Sequence, residues 1–255
     1  MLPAVKRGHA KELAELMRQD PGFDVNSYQD GTGKTLLFHA CDGDSRSAVI
    51  PLLLAHPDID VNFKEKTYGF TPFYWACTMG RLSCVREMLK DSRVKVNEPN
   101  NSGLTPLWGA AYNGRHYLIK WWIASGREMD LGKRGDTYRT DAIGAAEMRL
   151  KTEAVALLER FKSDAAKTRH AVRVRLGLLD DLAAEMFALV VFVSDGLLHI
   201  KDTPPSPAAR FFSIASQLPL ELQMVLCFRQ VGSAKEIISG NDSEVAFKEL
   251  ARRLR

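Results

Sequence analysis

Apolar residues recur three and four positions apart in three short stretches: ELAELM at residues 12–17, VIPLLLA at 49–55 and CVREMLK at 84–90. That spacing is one face of a helix. Each stretch leads to the same polar close, GFDVN ending at Asn26, DIDVN at Asn62 and RVKVN at Asn97, in steps of 36 and 35 residues. A second pattern interleaves with the first: GKTLLFHAC from Gly33, GFTPFYWAC from Gly69, GLTPLWGAA from Gly103 and a weaker RTDAIGAA from Arg139. The threonines Thr35, Thr71, Thr105 and Thr140 stand 36, 34 and 35 residues apart. A fixed period of this length marks stacked supersecondary units.

The residues suit such a unit. Glycine two positions before Thr35, Thr71 and Thr105 permits a turn that other residues resist. Threonine followed by proline starts a helix well, because the hydroxyl caps it and proline at the first helical position loses no needed hydrogen bond. Small residues at Ala76, Cys77, Ala110 and Ala111 let paired helices approach. Gly80 and Gly114 close two of the first helices. One unit alone cannot bury its apolar face, so a stack must build the core.

These motifs resemble the ankyrin repeat, whose pattern is G-x-T-P-L-H-x-A, then a glycine, an apolar helix and V-N. The resemblance covers about residues 4–162 and recurs in phase at several positions. It implies a β-turn and two antiparallel helices per unit, hence an all-α solenoid of about five units over residues 1–162, followed by a helical domain over 163–255. The first unit lacks its turn and starts its outer helix at Gly8. The fifth, from Gly135 to Phe161, has Asp141 where proline is expected and Arg149 where glycine is expected. Terminal repeats are often atypical because they cap the stack.

The register also disposes of a nucleotide motif. DGTGKT, at residues 30–35, ends like a phosphate-cradling P-loop. Such a loop needs glycine at position 28, where this chain has Tyr28, and a buried strand before it. Gly33, Lys34 and Thr35 align instead with Gly69, Phe70 and Thr71. Lys34 fills the variable slot at a turn tip.

The family resemblance further implies a non-catalytic protein that binds a protein partner on its concave surface, formed by turn tips and inner helices. In register those slots hold Lys34 and His39 in the second unit, Tyr68, Phe70, Trp75 and Met79 in the third, and Leu104, Tyr112 and Asn113 in the fourth. The third set is unusually apolar, of the types enriched at interface cores. Two readings stand: a binding patch, or side chains covered by neighbouring units or by the C-terminal segment. Tyr74, Trp108 and Trp122 fall at core positions, whereas Trp121 is either exposed or covered by another segment.

Composition adds mainly exclusions. The chain has 255 residues, 45% apolar and 26% charged, with a net charge of +4. That charge points to no nucleic-acid partner. Cys41, Cys77, Cys84 and Cys227 form no C-x-x-C pair and read as buried free thiols in a reducing compartment. The histidines are scattered, and the acidic pairs Asp58/Asp60 and Asp180/Asp181 lie where solvated carboxylates are ordinary, so no catalytic residue, metal site or cofactor is expected. The chain opens without a charged-then-apolar leader, and its longest apolar run, residues 186–193, is too short for a bilayer. A monomeric cytoplasmic or nuclear protein without membrane contact is expected.

After Ser163 the period ends. Residues 163–179 read as a helix whose Lys167, Arg169, Arg173 and Arg175 form either a solvated face or a phosphate contact. Next comes an apolar helix with Leu182, Met186, Leu189, Val190 and Val193 on one side, then a Pro-rich loop from Pro204 to Pro207. Pro219 begins a helix with Leu218, Leu222, Val225 and Leu226 as its apolar face, stopped by Gly232. Ser233 and Glu236 have capping-box spacing for a short second helix. Asn241 or Asp242 caps a third, carrying Phe247, Leu250, Ala251 and Leu254. The opening L-P-x-E-L resembles the F-box, a family that docks the adaptor of cullin-type ubiquitin ligases. That resemblance implies Leu218, Pro219, Glu221 and Leu222 as docking residues, while Phe247 stands near the family's usual tryptophan. The alternative is that residues 216–255 form a helical cap over the apolar helix.

Overall fold

The computed structural model describes residues 1–132, 140–199, 206–233 and 235–253. Gly135, Arg139, Pro204 and Leu254 lie outside the described residues. Those described fall into two compact units, Met1–Arg169 and His170–Arg255. Helices account for all regular structure among them, so the chain is all-α.

Among the described residues the first unit is five helix pairs in series. They are α1 (Leu2–Arg7) with α2 (Ala10–Gln19), α3 (Leu36–Ala40) with α4 (Ile50–Leu54) behind a 3₁₀ turn (Asp44–Val49), and α5 (Pro72–Met79) with α6 (Leu82–Lys90). The series continues with α7 (Pro106–Tyr112) and α8 (His116–Ser125), then α9 (Ala142–Met148) and α10 (Thr152–Ser163). Inner helices pack on inner helices, as in α5 on α7 and α7 on α9, and outer on outer, as in α6 on α8.

Local chemistry explains the starts and stops. The hydroxyls of Thr35, Thr71 and Thr105 accept hydrogen bonds from the backbone N–H groups of Phe38, Tyr74 and Trp108, as the cap reading expects. In the fifth pair the register moves by one. Asp141, not Thr140, caps α9, its Oδ1 accepting from Gly144 N at 2.9 Å. The position that Gly8, Gly80 and Gly114 fill in the first, third and fourth pairs therefore falls on Leu150, not Arg149. Leu150 takes a left-handed φ of 54°.

The small residues do what their size suggests. Ala40, Cys41, Ala76, Cys77, Ala110, Ala111, Ala145 and Ala146 are all fully buried. Gly109 is needed for close approach, since a Cβ there would sit 2.4 Å from Thr78 Oγ1 on α5. Leu13, Leu36, Phe38, Ile50, Phe73, Met88, Leu118 and Trp122 complete the core. Burying one such side chain contributes roughly 1.5–3 kcal/mol.

The V-N closes join neighbouring pairs. Asn26 donates to Asp58 O and accepts from Asp60 N. Asn62 repeats this with Arg93 O and Lys95 N, at 2.9 and 2.8 Å, and Asn97 accepts from Asp130 N at 3.0 Å. Each asparagine thus satisfies backbone groups one repeat further on.

The boundary between units falls within α11 (Ala165–Arg175). The second unit then comprises α12 (Leu179–Ser194), α13 (Pro207–Ala215), α14 (Leu220–Gln230) and α15 (Gly240–Arg253). Its core joins Ala183, Ala184, Phe187, Ala188 and Val190 of α12 to Ala215, Cys227, Phe228, Ile238 and Ala246. Both apolar faces read from the sequence are turned by about one residue. On α12 the alanine-rich side is buried together with Val190 of the expected face, while Leu182, Met186, Leu189 and Val193 are only half-buried. On α14 Gln223, Cys227 and Phe228 face the core, and Leu222 is 51% exposed. The reason is approach distance: a ridge of alanines admits the phenylalanines of neighbouring helices, which bury more area per contact. Gln223 is tolerated because its Nε2 donates to Leu218 O at 2.9 Å.

Two smaller expectations also change. Residues 235–239 form no helix, and Ser233 Oγ accepts from Lys235 N instead of building a capping box. Ser239, rather than Asn241 or Asp242, caps α15 through Asp242 N. Pro207 ends the expected loop by opening α13 behind a Ser206 cap.

Candidate functional site

The residues expected on the partner surface lie on the turn tips and inner helices of the first unit. The tips are built alike. Asp30 Oδ1 accepts from the backbone N–H groups of Thr32 and Lys34, and Asn100 Oδ1 from those of Ser102 and Leu104, all at 2.9–3.0 Å. In the third repeat Glu65 takes this place, accepting from Thr67, Tyr68 and Phe70 N at 2.7, 2.6 and 3.2 Å. Its tip closes by Glu65 N donating to Phe70 O, one residue longer than Asp30 to Lys34 O or Asn100 to Leu104 O. The longer glutamate arm spans the longer loop. Neighbouring tips are tied by Lys66 N to Thr32 O and Asn101 N to Tyr68 O, each 2.9 Å.

These bonds fix the tip charges. Burial raises the Asp30 pKa, but hydrogen bonds from Thr32 and from the amides of Lys34 and Thr32, with the nearby His39, outweigh it and bring it to about 2. At Glu65 burial likewise raises the pKa, and hydrogen bonds from the three tip amides outweigh it and lower it. The sequence reading missed Asp30, Glu65 and Asn100 as supports. Their signal was available: each stands five or six residues before a capping threonine.

The extra residue of the third tip carries Tyr68 outward, 62% exposed. Its ring stacks on Phe70 at 5.4 Å, and Phe70 stacks on Tyr74 at 4.6 Å and lies 6.0 Å from Trp75. Trp75 is half-buried, 5.6 Å from Phe38, and its Nε1 donates to Asp42 Oδ1 at 2.8 Å. Lys34 closes the row, its Nζ 4.9 Å from the Trp75 ring and 5.2 Å from that of Phe38. Lys34, Phe70, Trp75 and Tyr68 therefore form one connected cluster, partly open to solvent. Met79 at the end of α5, Leu104 at the next tip, and Tyr112 and Asn113 at the end of α7 are half-buried. Asn113 Nδ2 turns back to Gly109 O at 2.8 Å. Tyr112 stacks on Trp108 at 4.9 Å and is covered by Arg149, whose Cζ lies 4.9 Å from the ring.

His39 departs from the expected surface set. It is only 8% exposed, with Nε2 3.3 Å from Asp30 Oδ2. Burial first, then Lys6, lowers its pKa. Tyr74, Trp108 and Trp122 are core, as expected. Trp121 is half-buried under Arg86 of the preceding outer helix, 3.9 Å from its ring.

The second set of expected residues lies in the other unit. Pro219, Glu221 and Leu222 are exposed and Leu218 is half-buried. The four cysteines are buried and form no disulfide. Burial pushes the Cys84 thiol to about 12 and that of Cys227 to about 11. Among the described residues no group of three His, Cys, Asp or Glu side chains could hold a metal ion, and no helix is long and apolar enough to cross a membrane.

Comparison with known proteins agrees with this architecture. A family model of ankyrin repeats in three copies matches residues 1–100 and 60–133. The human SMC5-SMC6 complex localization factor protein 1 is 28% identical over 188 residues, 67% of this chain but 17% of that protein. Its bovine counterpart is 28% identical over 151 residues, 57% of this chain and 14% of the relative. Alpha-latrotoxin-Lg1a of Latrodectus geometricus is 32% identical over 117 residues, 45% of this chain and 8% of the toxin. The chain thus spans less than a fifth of each of these relatives. With the repeat model matched from residue 1 to 133, and with capping threonines, left-handed tip glycines and helix pairs in the same period, this chain belongs to the ankyrin-repeat family.

Proposed function

We propose that the protein is a non-catalytic interaction module that holds a protein partner against the tips and inner helices of its repeats. The observation that carries this reading is the connected aromatic cluster of Tyr68, Phe70 and Trp75, set on rigid tips and left partly open. Aromatic side chains of this kind contribute large contact area with few rotors to freeze. Met79, Leu104, Tyr112 and Asn113 extend the surface along the stack, and His39 supports it from below. A localization role, as in the printed name of the human relative, is compatible with an interaction module, though the shared segment is a small part of that protein. The test is quantitative affinity capture from cells with the full chain against its Phe70→Ala variant. Partners lost by about tenfold or more, with an unchanged melting temperature, support the reading. A capture profile identical for both proteins refutes it.

A second reading, a substrate receptor docking a cullin-type ligase adaptor, rests on Leu220 and Leu222, both about half exposed on α14. The missing helix at 235–239 counts against it. Binding of a purified ligase adaptor that is lost with Leu222→Asp would favour it; absence of binding would remove it.

A further inference from the structure

The inner-helix surface also carries a charge pattern. Two cations there are laid over aromatic rings instead of carboxylates: Lys34 over Trp75 and Phe38, and Arg149 over Tyr112. Neither makes an ion pair among the described residues. Elsewhere in the same unit Lys64 meets Glu98 at 2.7 Å, Lys90 meets Glu87 at 3.0 Å and Arg93 meets Asp91 at 2.6 Å, while on the outer helices Arg86 lies over the Trp121 ring. The carboxylates near the cluster are already engaged. Asp42 accepts from Trp75 Nε1 and Arg46, and Asp30 from Thr32 and the tip amides. A cation held on a ring face keeps its charge and its outward hydrogen-bonding capacity, while its side chain is already ordered. An approaching carboxylate therefore meets a pre-set donor.

We infer that the partner segment is an acidic peptide in extended conformation, with carboxylates at Lys34 and Arg149 and an apolar or aromatic side chain between them against Phe70, Trp75 and Met79. This rests on the inner-helix surface being the binding face. Lys34 belongs to the second repeat and Arg149 to the fifth, three steps of about 10 Å each for packed helices. An extended chain covers that span in about nine residues. A single-stranded polynucleotide is the disfavoured occupant, because two cations three repeats apart do not make the continuous basic groove that tracks a nucleic-acid backbone.

The test uses the full chain, immobilised and presented with a random peptide library displayed on phage, each peptide about a dozen residues long. Selected peptides enriched in Asp and Glu on both sides of an apolar residue are the expected result. The double variant Lys34→Glu/Arg149→Glu should select Lys- or Arg-flanked peptides instead. It should also bind the original acidic peptides about tenfold or more weakly, since a charge-assisted contact is worth about that factor. Peptides without acidic enrichment, a failure to select any peptide, or unchanged selection by the double variant would overturn the inference. A single-stranded oligonucleotide that outcompetes the acidic peptides would overturn it too. If Phe70→Ala still abolishes capture of cellular partners while the double charge reversal does not, the binding face stands and only the acidic class falls.

Discussion

Replacing Leu150 with glycine should stabilise the last repeat. Leu150 holds φ at 54°, the left-handed region that residues with a Cβ avoid. The hydrogen bonds around it match those at the glycines of earlier repeats. Leu150 N donates to Glu147 O and Lys151 N to Ala146 O, just as Gly80 N does to Cys77 O and Arg81 N to Ala76 O. The earlier glycines are held by two constraints. At Gly80 a Cβ would stand 2.4 Å from Tyr117 Oη of the next repeat, and at Gly114 2.7 Å from Lys151 Cδ. At position 150 only the backbone constraint remains, because the side chain is 85% exposed. Removing it loses no buried area. Left-handed conformation costs a leucine about 1–2 kcal/mol. The extra freedom of glycine in the unfolded chain offsets about 0.4–1 kcal/mol of that. The net gain is about 0.5–1 kcal/mol, or roughly 2 °C in melting temperature for a chain this long. Urea denaturation followed by far-ultraviolet circular dichroism would measure it, and amide exchange would place it in α9 and α10. Leu150→Ala is the control, since it removes the exposed side chain and keeps the Cβ. Destabilisation by glycine, or an equal gain with alanine, would refute the conformational account.

Three further outcomes follow from the geometry. Asp30 has its folded pKa depressed from 3.8 to about 2, so its contribution is complete above pH 4 and is lost as pH falls toward 2. Asp30→Asn should keep the tip, as Asn100 does in its own repeat, and flatten stability between pH 4 and 2 by about 1 kcal/mol after solvent screening, read from denaturation midpoints against pH. An unchanged pH slope would deny the tip carboxylate its role. Asn62→Ala removes the bonds to Arg93 O and Lys95 N and should cost about 1–3 kcal/mol in chemical denaturation; a cost near zero would mean that water replaces both bonds. Phe228→Ala, in the core of the second unit, should cost about 3–5 kcal/mol. Amide exchange should then quicken in α12 and α15 while α5 and α7 keep their protection, and equal loss in both units would contradict the separate cores.

The sequence by itself determined the repeat, its period and the starts of three inner helices. Threonine caps at 35, 71 and 105, tip glycines at 33, 69 and 103 and paired small residues act through bonds and contacts a few positions away, so their chemistry is visible in a short window. The close of each V-N segment was visible as a pattern, but the partner of each asparagine lies more than thirty residues away and emerged only in the fold. Tertiary structure alone decided the cap at Asp141 over Thr140, because the register of the fifth pair is set by its stacking on the fourth. It also decided which sides of α12 and α14 are buried. Each helix carries apolar residues on more than one side, and the choice went to the faces where alanines let Phe187 and Phe228 come closest. At the candidate site, the aromatic composition was legible in the sequence, whereas the burial of His39 and the seating of Lys34 on Trp75 depend on side chains from neighbouring repeats. No local pattern encodes a contact whose two halves are a full repeat apart; stacking brings them together, and the exposure of each side chain is whatever that stacking leaves uncovered.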